Sequence, residues 1–541
     1  MTDGELPFGM PATVPPADAP PAARHRRAPT SWRRVRRYVA GGLASALVST
    51  LGVAACEYRQ LSGNIVSLPL YGGLGGDAGT EKPDRFGNTP IDVLVIGSDT
   101  RSSAADCALG HACATTGASG GANADVELLV HVAADRSNAT VLSIPRDTVT
   151  DLPACTDPRT GRTTPARRTQ INASLGAGPG CTVAAVHQLT GITIGHFAML
   201  DFSAVVTMSR AVGGVPVCVS NDVYDTYSHL KLRKGSHVLE GTAALQFVRS
   251  RHGFGDGSDI GRTYAQHLFL ASMIRTVKSA GTLGNPRKLL AVADAATKAL
   301  TVDSGLGSIP DLLGLADDLG KVPTERITFV TMPTQPDPQD SNRVVPAPRA
   351  AALFAAIAAD QPLTRSAPAA TPSASAGSSP APSASGGLQA LAGVPVTVRN
   401  ATGRTGRAGE VAAALRTAGL RGVTTANATP AATSSVRYAT GRESAAKALA
   451  AHLGLPVAKV VADPAASGVT VVVGGDWLQG ATFPASAPVD PGTLEGSHAR
   501  TAQEAKDCAQ VSTEATVEVG GVTMSPPEAY RRSPGVPDSA P

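Results

Sequence analysis

Short apolar runs rich in β-branched residues recur between residues 88 and 361, each bounded by polar or glycine-containing segments. They are IDVLVIG (91–97), VELLVHVA (126–133), ATVLSIP (139–145), VPVCVS (215–220) and ITFVTMP (327–333), and their length and composition predict buried strands. Longer stretches return apolar residues at helical spacing: AALQFVRS (243–250), TYAQHLFLASMIRTVKSA (263–280), PRKLLAVADAATKAL (286–300) and RAAALFAAIAAD (349–360). Strands interleaved with helices predict an α/β domain over 88–361. The pattern then breaks, because APAATPSASAGSSPAPSASGG (367–387) can bury almost nothing; we read 362–388 as a flexible linker. Periodicity resumes over 389–487, where VPVTVRN and GVTVVVGGDW read as strands and GRAGEVAAALRTAGL and AAKALAAHLGL as helices, a smaller α/β domain. From 488 to 541 the chain is rich in proline, serine and charge, which predicts a disordered tail.

The N-terminal end has a different pattern. YVAGGLASALVSTLGVAAC (38–56) carries no charge and is long enough to cross a hydrocarbon core about 30 Å thick. Arg24, Arg26, Arg27, Arg33, Arg34, Arg36 and Arg37 precede it, so a single transmembrane helix here would leave a disordered basic tail (1–37) in the cytoplasm. Everything after it, beginning with a connector (57–87), would lie outside. A leader cleaved at a lipoprotein-type site before Cys56 is the alternative, but the upstream tail is long for a signal peptide.

Composition refines this picture. A length of 541 residues exceeds what one hydrophobic core organises, in keeping with two domains. A net charge of +4, concentrated in the N-terminal arginines, gives no reason to expect a nucleic-acid partner. Beyond Cys56 the cysteines show no zinc-type spacing, and an extracytoplasmic location favours disulfides. We expect Cys155 to pair with Cys181 and Cys107 with Cys113, and Cys218, in a strand, to be a buried thiol.

Charged residues gather where the apolar runs stop. SDTR after the first strand supplies Asp99 and Arg101, Asp125 begins the second, and SIPRD places Arg146 and Asp147 after the third. In open α/β sheets ligands bind beyond the strand ends, so these residues mark a candidate site if the ends converge. Arg249 and Arg251 are two apart, so an extended backbone points them to one side. A glycine-rich loop with Asp256 and Asp259 follows, and Arg262 opens the next helix. Arginines bind phosphoryl oxygens bidentately, and carboxylates can hold Mg²⁺ against the same group.

These motifs carry a resemblance. VLVIGSDTR, ADVELLVHV, VLSIPRDT, QINASLGAGPG, LTGITIGHFAMLDF, VGGVPVCV and LEGTAALQFVRSRHGFGDGSDIGR, in this order after one apolar segment, are similar to the LytR-CpsA-Psr family of cell-wall glycopolymer ligases. The 389–487 region resembles the LytR C-terminal domain, most clearly at VTVRNATGRTGRAGEVAAAL. The resemblance implies an α-β-α sandwich with a central mixed sheet. It also implies transfer of a glycopolymer from a polyprenyl-pyrophosphate carrier at the membrane onto peptidoglycan, forming a phosphodiester. Carried onto matching positions, it implies Asp99 and Asp125 as Mg²⁺ ligands and Arg101, Arg146, Arg249 and Arg251 as the pyrophosphate clamp. Arg262 and Gln266 would contact substrate, and Asp147 would act as general base or orient Arg146. The chain departs from the pattern at Asn123, where the family commonly has arginine, and at Ala265, Gln266 and His267, where it often reads Arg-Gln-Gln. A polyprenyl-pyrophosphate hydrolase and a non-catalytic wall-binding or assembly protein stay open as alternatives.

Overall fold

The computed structural model describes residues 38, 40, 56–74, 77–81, 88–98, 123–257, 259–279, 285–363, 391, 393–431, 433–455, 459–478, 480–483, 491–504 and 507–540. Its principal elements begin with β1 (Val66–Leu68), β2 (Ile91–Ser98), β3 (Ala124–Val132), β4 (Ala139–Ile144), α1 (Pro179–Thr190), β5 (His196–Leu200) and α2 (Phe202–Ala211). Next come β6 (Val215–Val219), α3 (Thr242–Arg249), α4 (Asp259–Lys278), α5 (Pro286–Ala299), β7 (Leu300–Asp303), β8 (Ile327–Thr331) and α6 (Ala350–Ala358).

Among the described residues the central sheet runs β1, β7, β5, β2, β3, β4, β8, with one further strand from the C-terminal end beyond β8. It is mixed: β2 is antiparallel to β3 and parallel to β5, and β4 is antiparallel to β3 and parallel to β8. Successive side chains on these strands alternate between two cores. Leu128, Val132, Val141 and Phe329 pack against Phe247 of α3 and Phe269 of α4. Leu94, Ile96, Leu129 and Val330 pack on the other face against Val183 and Val186 of α1 and Leu353 and Phe354 of α6. The domain is therefore an α-β-α sandwich. β6 lies outside the central sheet, pairing with Gly235–Leu239 as an antiparallel ribbon.

A smaller α/β domain contains β9 (Val396–Asn400), α7 (Arg407–Thr417), β10 (Val423–Asn427), β11 (Ser435–Tyr438), α8 (Glu443–Leu453), β12 (Val460–Ala462) and β13 (Val469–Val473). Its sheet order is β10, β9, β13, β11, β12. Val398, Val411, Leu449, Val471 and the fully buried Trp477 form its core.

Three expectations need correction. The connector 57–87 contributes β1, which pairs in parallel with β7 as an edge of the central sheet. The tail from 488 is not disordered: its described residues form β14 (Arg500–Thr501), β15 (Val517–Val519), β16 (Val522–Met524) and α9 (Pro526–Arg532). It folds without many apolar residues of its own because it adds Ala502, Ala509 and Val511 to the existing core. Cys218 is not a buried thiol, being joined to Cys508 of that tail. Cys155 and Cys181 are also joined, with Cα atoms 5.7 Å apart, tying the loop after β4 to the first turn of α1. Cys107 and Cys113 lie outside the described residues, as does nearly all of 38–56. Among the described residues no helix is long and apolar enough to cross a membrane.

Candidate functional site

Strand and helix ends bring the predicted charges together. Asp125 lies at the start of β3, Arg146 and Asp147 directly follow β4 and Pro145, and Arg249 is the last residue of α3. Ser250 is extended (φ −66°, ψ 120°), so Arg251 is carried back beside Arg249 instead of winding away around a helix. The Asp125 carboxylate accepts from Arg146 Nη1 and lies 3.9 Å from Arg251 Nη2. Arg146 Nε stands 3.6 Å from Asp147, whose Oδ1 also accepts from Gln170 Nε2 at 2.6 Å and Arg343 Nη1 at 3.3 Å. The Arg249 guanidinium lies 4.6 Å over the Phe202 ring, an arrangement that fixes its plane. Asp99 and Arg101 lie outside the described residues.

The turn bearing Arg251 has a support that the sequence did not reveal. Asp225, fully buried, accepts from Ser250 Oγ at 2.7 Å, His252 N at 3.3 Å and Tyr227 N at 3.0 Å. The His252 ring packs on Tyr227 with centroids 4.2 Å apart. The glycines beyond it permit close packing: Gly255 has φ +60°, and a Cβ on Gly261 would collide with the Phe254 carbonyl. Only the sequence VYDTYS carried a trace of Asp225's role, since Ser250 and His252 are more than twenty residues away.

Of the predicted residues, Asp125, Arg249, Arg251, Arg262 and Gln266 border a cavity of about 450 Å³, whereas Arg146 and Asp147 are not among its lining residues. Asp125, Asp201, Arg249, Arg251, Arg262 and Gln266 are among its polar lining residues, and Val95, Leu128, Val205, Met208, Leu245 and Leu300 among the apolar ones. On α4 the lining residues Arg262, Gln266, Phe269, Leu270 and Met273 form one stripe. At 1.5 Å per residue the stripe spans about 16 Å and changes from charged to apolar along the helix. Gln266 is held by its Nε2 donating to Val248 O at 3.0 Å. The residues on either side of it face elsewhere: Ala265 is buried in the core, and His267 bonds Ser143 Oγ at 2.7 Å. Burial, with Arg500 and His498 nearby, pushes the His267 imidazole down to about 3, so it is neutral.

The site thus joins a charged rim, in which Arg249, Arg251 and Arg262 stand with Asp125 and Asp201, to an apolar cavity. The chain belongs to the LytR-CpsA-Psr family, whose model matches residues 77–356. A second model, described as LytR cell envelope-related transcriptional attenuator, matches residues 393–477. The chain is 32% identical over 308 residues to the cell wall biosynthesis protein LcpA of Corynebacterium glutamicum, a match covering 53% of this chain and 57% of that protein. It thus spans little more than half of that relative's length. It is 25% identical over 269 residues to the polyisoprenyl-teichoic acid–peptidoglycan teichoic acid transferase TagT of Bacillus subtilis, covering 48% of this chain and 74% of that one. A solved LytR-Csp2A-Psr enzyme from Actinomyces oris aligns with a TM-score of 0.40 and 22% identity, over 55% of this chain and 96% of that one.

Proposed function

We propose that this protein is a membrane-anchored, extracytoplasmic phosphotransferase that joins a polyprenyl-pyrophosphate-linked glycopolymer to peptidoglycan through a phosphodiester. The cavity carries the reading: Arg249, Arg251 and Arg262 border it at the charged end of α4, and Phe269, Leu270 and Met273 continue it as apolar wall. A pyrophosphate at the rim with its prenyl chain along the stripe satisfies both ends. The names of LcpA, a cell wall biosynthesis protein, and TagT, a teichoic acid transferase, support the same class of reaction. The anchor is the uncharged 38–56 stretch behind its arginines.

In this reading a muramic acid hydroxyl attacks the phosphorus that bears the glycopolymer. The new P–O bond forms as the bond to polyprenyl phosphate breaks, the polyprenyl phosphate leaves with the electron pair, and the hydroxyl proton goes to solvent. Phosphoryl transfer needs positioning and charge neutralisation above all. Arg146, Arg249 and Arg251, with Arg101, hold the phosphoryl oxygens, and Asp125 fixes the first and third of these relative to one another. Asp147, already accepting from Gln170 and Arg343, orients Arg146. Arg262 and Gln266 contact the donor.

Magnesium is the cofactor that this reading expects. Asp125 lines the cavity and presents a carboxylate there, one oxygen of which is paired with Arg146 and Arg251. Mg²⁺ suits such a sparse site, since one or two carboxylates usually hold it together with substrate phosphates. Asp99 and Asp125 would hold it, and it would neutralise charge on the pyrophosphate.

The test is the purified protein with Mg²⁺, a polyprenyl-pyrophosphate-linked saccharide and peptidoglycan fragments, followed by lipid release and product mass. A glycan carrying a covalent sugar phosphate is the expected product. Lipid cleavage that stays independent of added acceptor would make the protein a hydrolase, and binding without turnover would make it a wall-binding protein.

A further inference from the structure

Neither family match extends beyond residue 477, yet residues 497–504 and 507–540 return to the α-β-α domain, and residues 510–516 meet its arginine-bearing turn. β14 extends the sheet beyond β8, with Thr501 opposite Thr328 and Arg500 opposite Phe329. Arg500 donates to the Tyr264 hydroxyl at 3.0 Å and lies 4.7 Å over its ring, and Arg275 donates to the Ala502 carbonyl, so this segment grips α4 at two points. Cys508 is then bonded to Cys218 of β6, and Ala509 exchanges backbone hydrogen bonds with Cys218 and Ser220 at 2.7 and 2.9 Å.

The next residues meet the turn itself. Gly255 N donates to Gln510 O and Ser512 N to Gly253 O, both at 3.0 Å, which brackets a bridge between Val511 and the fully buried Phe254. Thr516 Oγ1 donates to His252 O at 2.6 Å, and a Cβ placed on Gly257 would collide with the Thr516 methyl. Four consecutive residues after Arg251 are therefore held by a segment more than 250 positions away in sequence. Asp225 holds the same turn from its other side through Ser250 and His252.

We propose that residues 507–516 are a positioning strap. They fix the turn between Arg251 and α4, and so set Arg251 and Arg262 relative to Asp125. Thr516 and the Cys218–Cys508 pair are its positioning residues. Glycines at 253, 255 and 257 make the turn adaptable, and a charge clamp is effective only when its donors are already in place. The consequence for the reaction rests on the reading that Arg251 binds the donor's pyrophosphate.

The full chain, with Thr516→Val and separately with Cys218→Ser/Cys508→Ser, tests this. Amide exchange across residues 250–257 reports the turn, titration with geranylgeranyl pyrophosphate reports the charged site, and transfer kinetics report the reaction. We expect Gly255 to exchange at least tenfold faster in both variants while amides within α4 keep their protection. The probe's Kd should weaken three- to tenfold, KM for the donor should rise more than kcat falls, and Thr516→Ser should restore all three. Unchanged Gly255 exchange in both variants, or faster exchange with wild-type affinity and kinetics, overturns the proposal. If the wild-type protein binds no pyrophosphate lipid while the turn responds as expected, the donor reading fails and the strap stands as the element that holds the turn.

Discussion

The end of the sheet away from the cavity carries a buried charge cluster with a calculable effect on stability. His131 on β3 stands opposite Asp92 on β2, its Nδ1 2.9 Å from Asp92 Oδ1 and its Nε2 2.9 Å from Asp360 Oδ1. Burial pulls the imidazole's pKa down, but hydrogen bonds to Asp360 and Asp92, reinforced by their charges, outweigh it and lift the pKa from 6.5 to about 9. Glu81 beside them is lifted from 4.5 to about 8, by burial first and then by the charge of Asp92. Both groups therefore keep protons in the folded protein that the unfolded chain has released. Their stabilisation is complete below each group's unfolded pKa and is lost as pH rises through the folded one, so stability falls from about pH 4.5 to 8 through Glu81 and from about pH 6.5 to 9 through His131. At roughly 1.4 kcal/mol per pH unit, the displacement of His131 alone amounts to on the order of 3 kcal/mol. Denaturant unfolding at intervals from pH 6 to 9.5, for wild type and His131→Asn, measures it. The variant should be less stable by a few kcal/mol at pH 6.5, and the two proteins should converge toward pH 9.5. A gap between them that is constant across the range would refute the assignment of a charged, doubly paired His131.

Three further outcomes follow from the site and its framework. Arg249→Lys should lower kcat/KM for the lipid-linked donor at least tenfold with little change in Tm, because an ammonium replaces the planar fork fixed over Phe202; wild-type kinetics would remove Arg249 from the clamp. Met273→Trp places bulk on the apolar part of the α4 stripe and should raise KM for a polyprenyl donor while leaving the Kd of a short, water-soluble pyrophosphate unchanged; equal effects on both would mean that the prenyl chain lies elsewhere. Replacing Cys155 and Cys181 by serine opens a 26-residue separation and should cost about 3.5 kcal/mol by loop-closure entropy, read as a lower denaturation midpoint.

Four strands of the central sheet, β2, β3, β4 and β8, were legible because they are long apolar runs, whereas the inner strands β5 and β7 were not read and the run at 215–220 pairs outside this sheet. The strands at 91, 139 and 327 begin where their first β-branched or small residue does. α1 was not legible, since PGCTVAAVHQLT is buried on nearly every side and shows no polar face to give it a period. At the site, the arginines announced themselves through their placement after apolar runs, but the cavity wall did not. It is assembled from a few residues each of β2, β3, α2, α3 and α4, whose apolar members are indistinguishable in sequence from ordinary core. Asp225 was hidden for the same reason, its partners Ser250 and His252 being supplied by a turn that follows three further elements.

The C-terminal segment shows how composition can mislead when the partner is remote. Its strands are two or three residues long and would be unstable alone, so local propensity correctly finds nothing there. What orders it is a sheet edge, the backbone of the turn after Arg251 and a disulfide closing a separation of 290 residues, none of them visible in a window of any ordinary length. One sequence signal did point the other way. Six cysteines follow Cys56, and assigning four of them to the two local pairs leaves Cys218 and Cys508 as a remainder. In an oxidising compartment a cysteine in a tail is evidence that the tail has a fixed neighbour. That evidence outranks proline and serine content, because a segment tethered to an existing core has most of its ordering entropy offset by contacts that the core supplies.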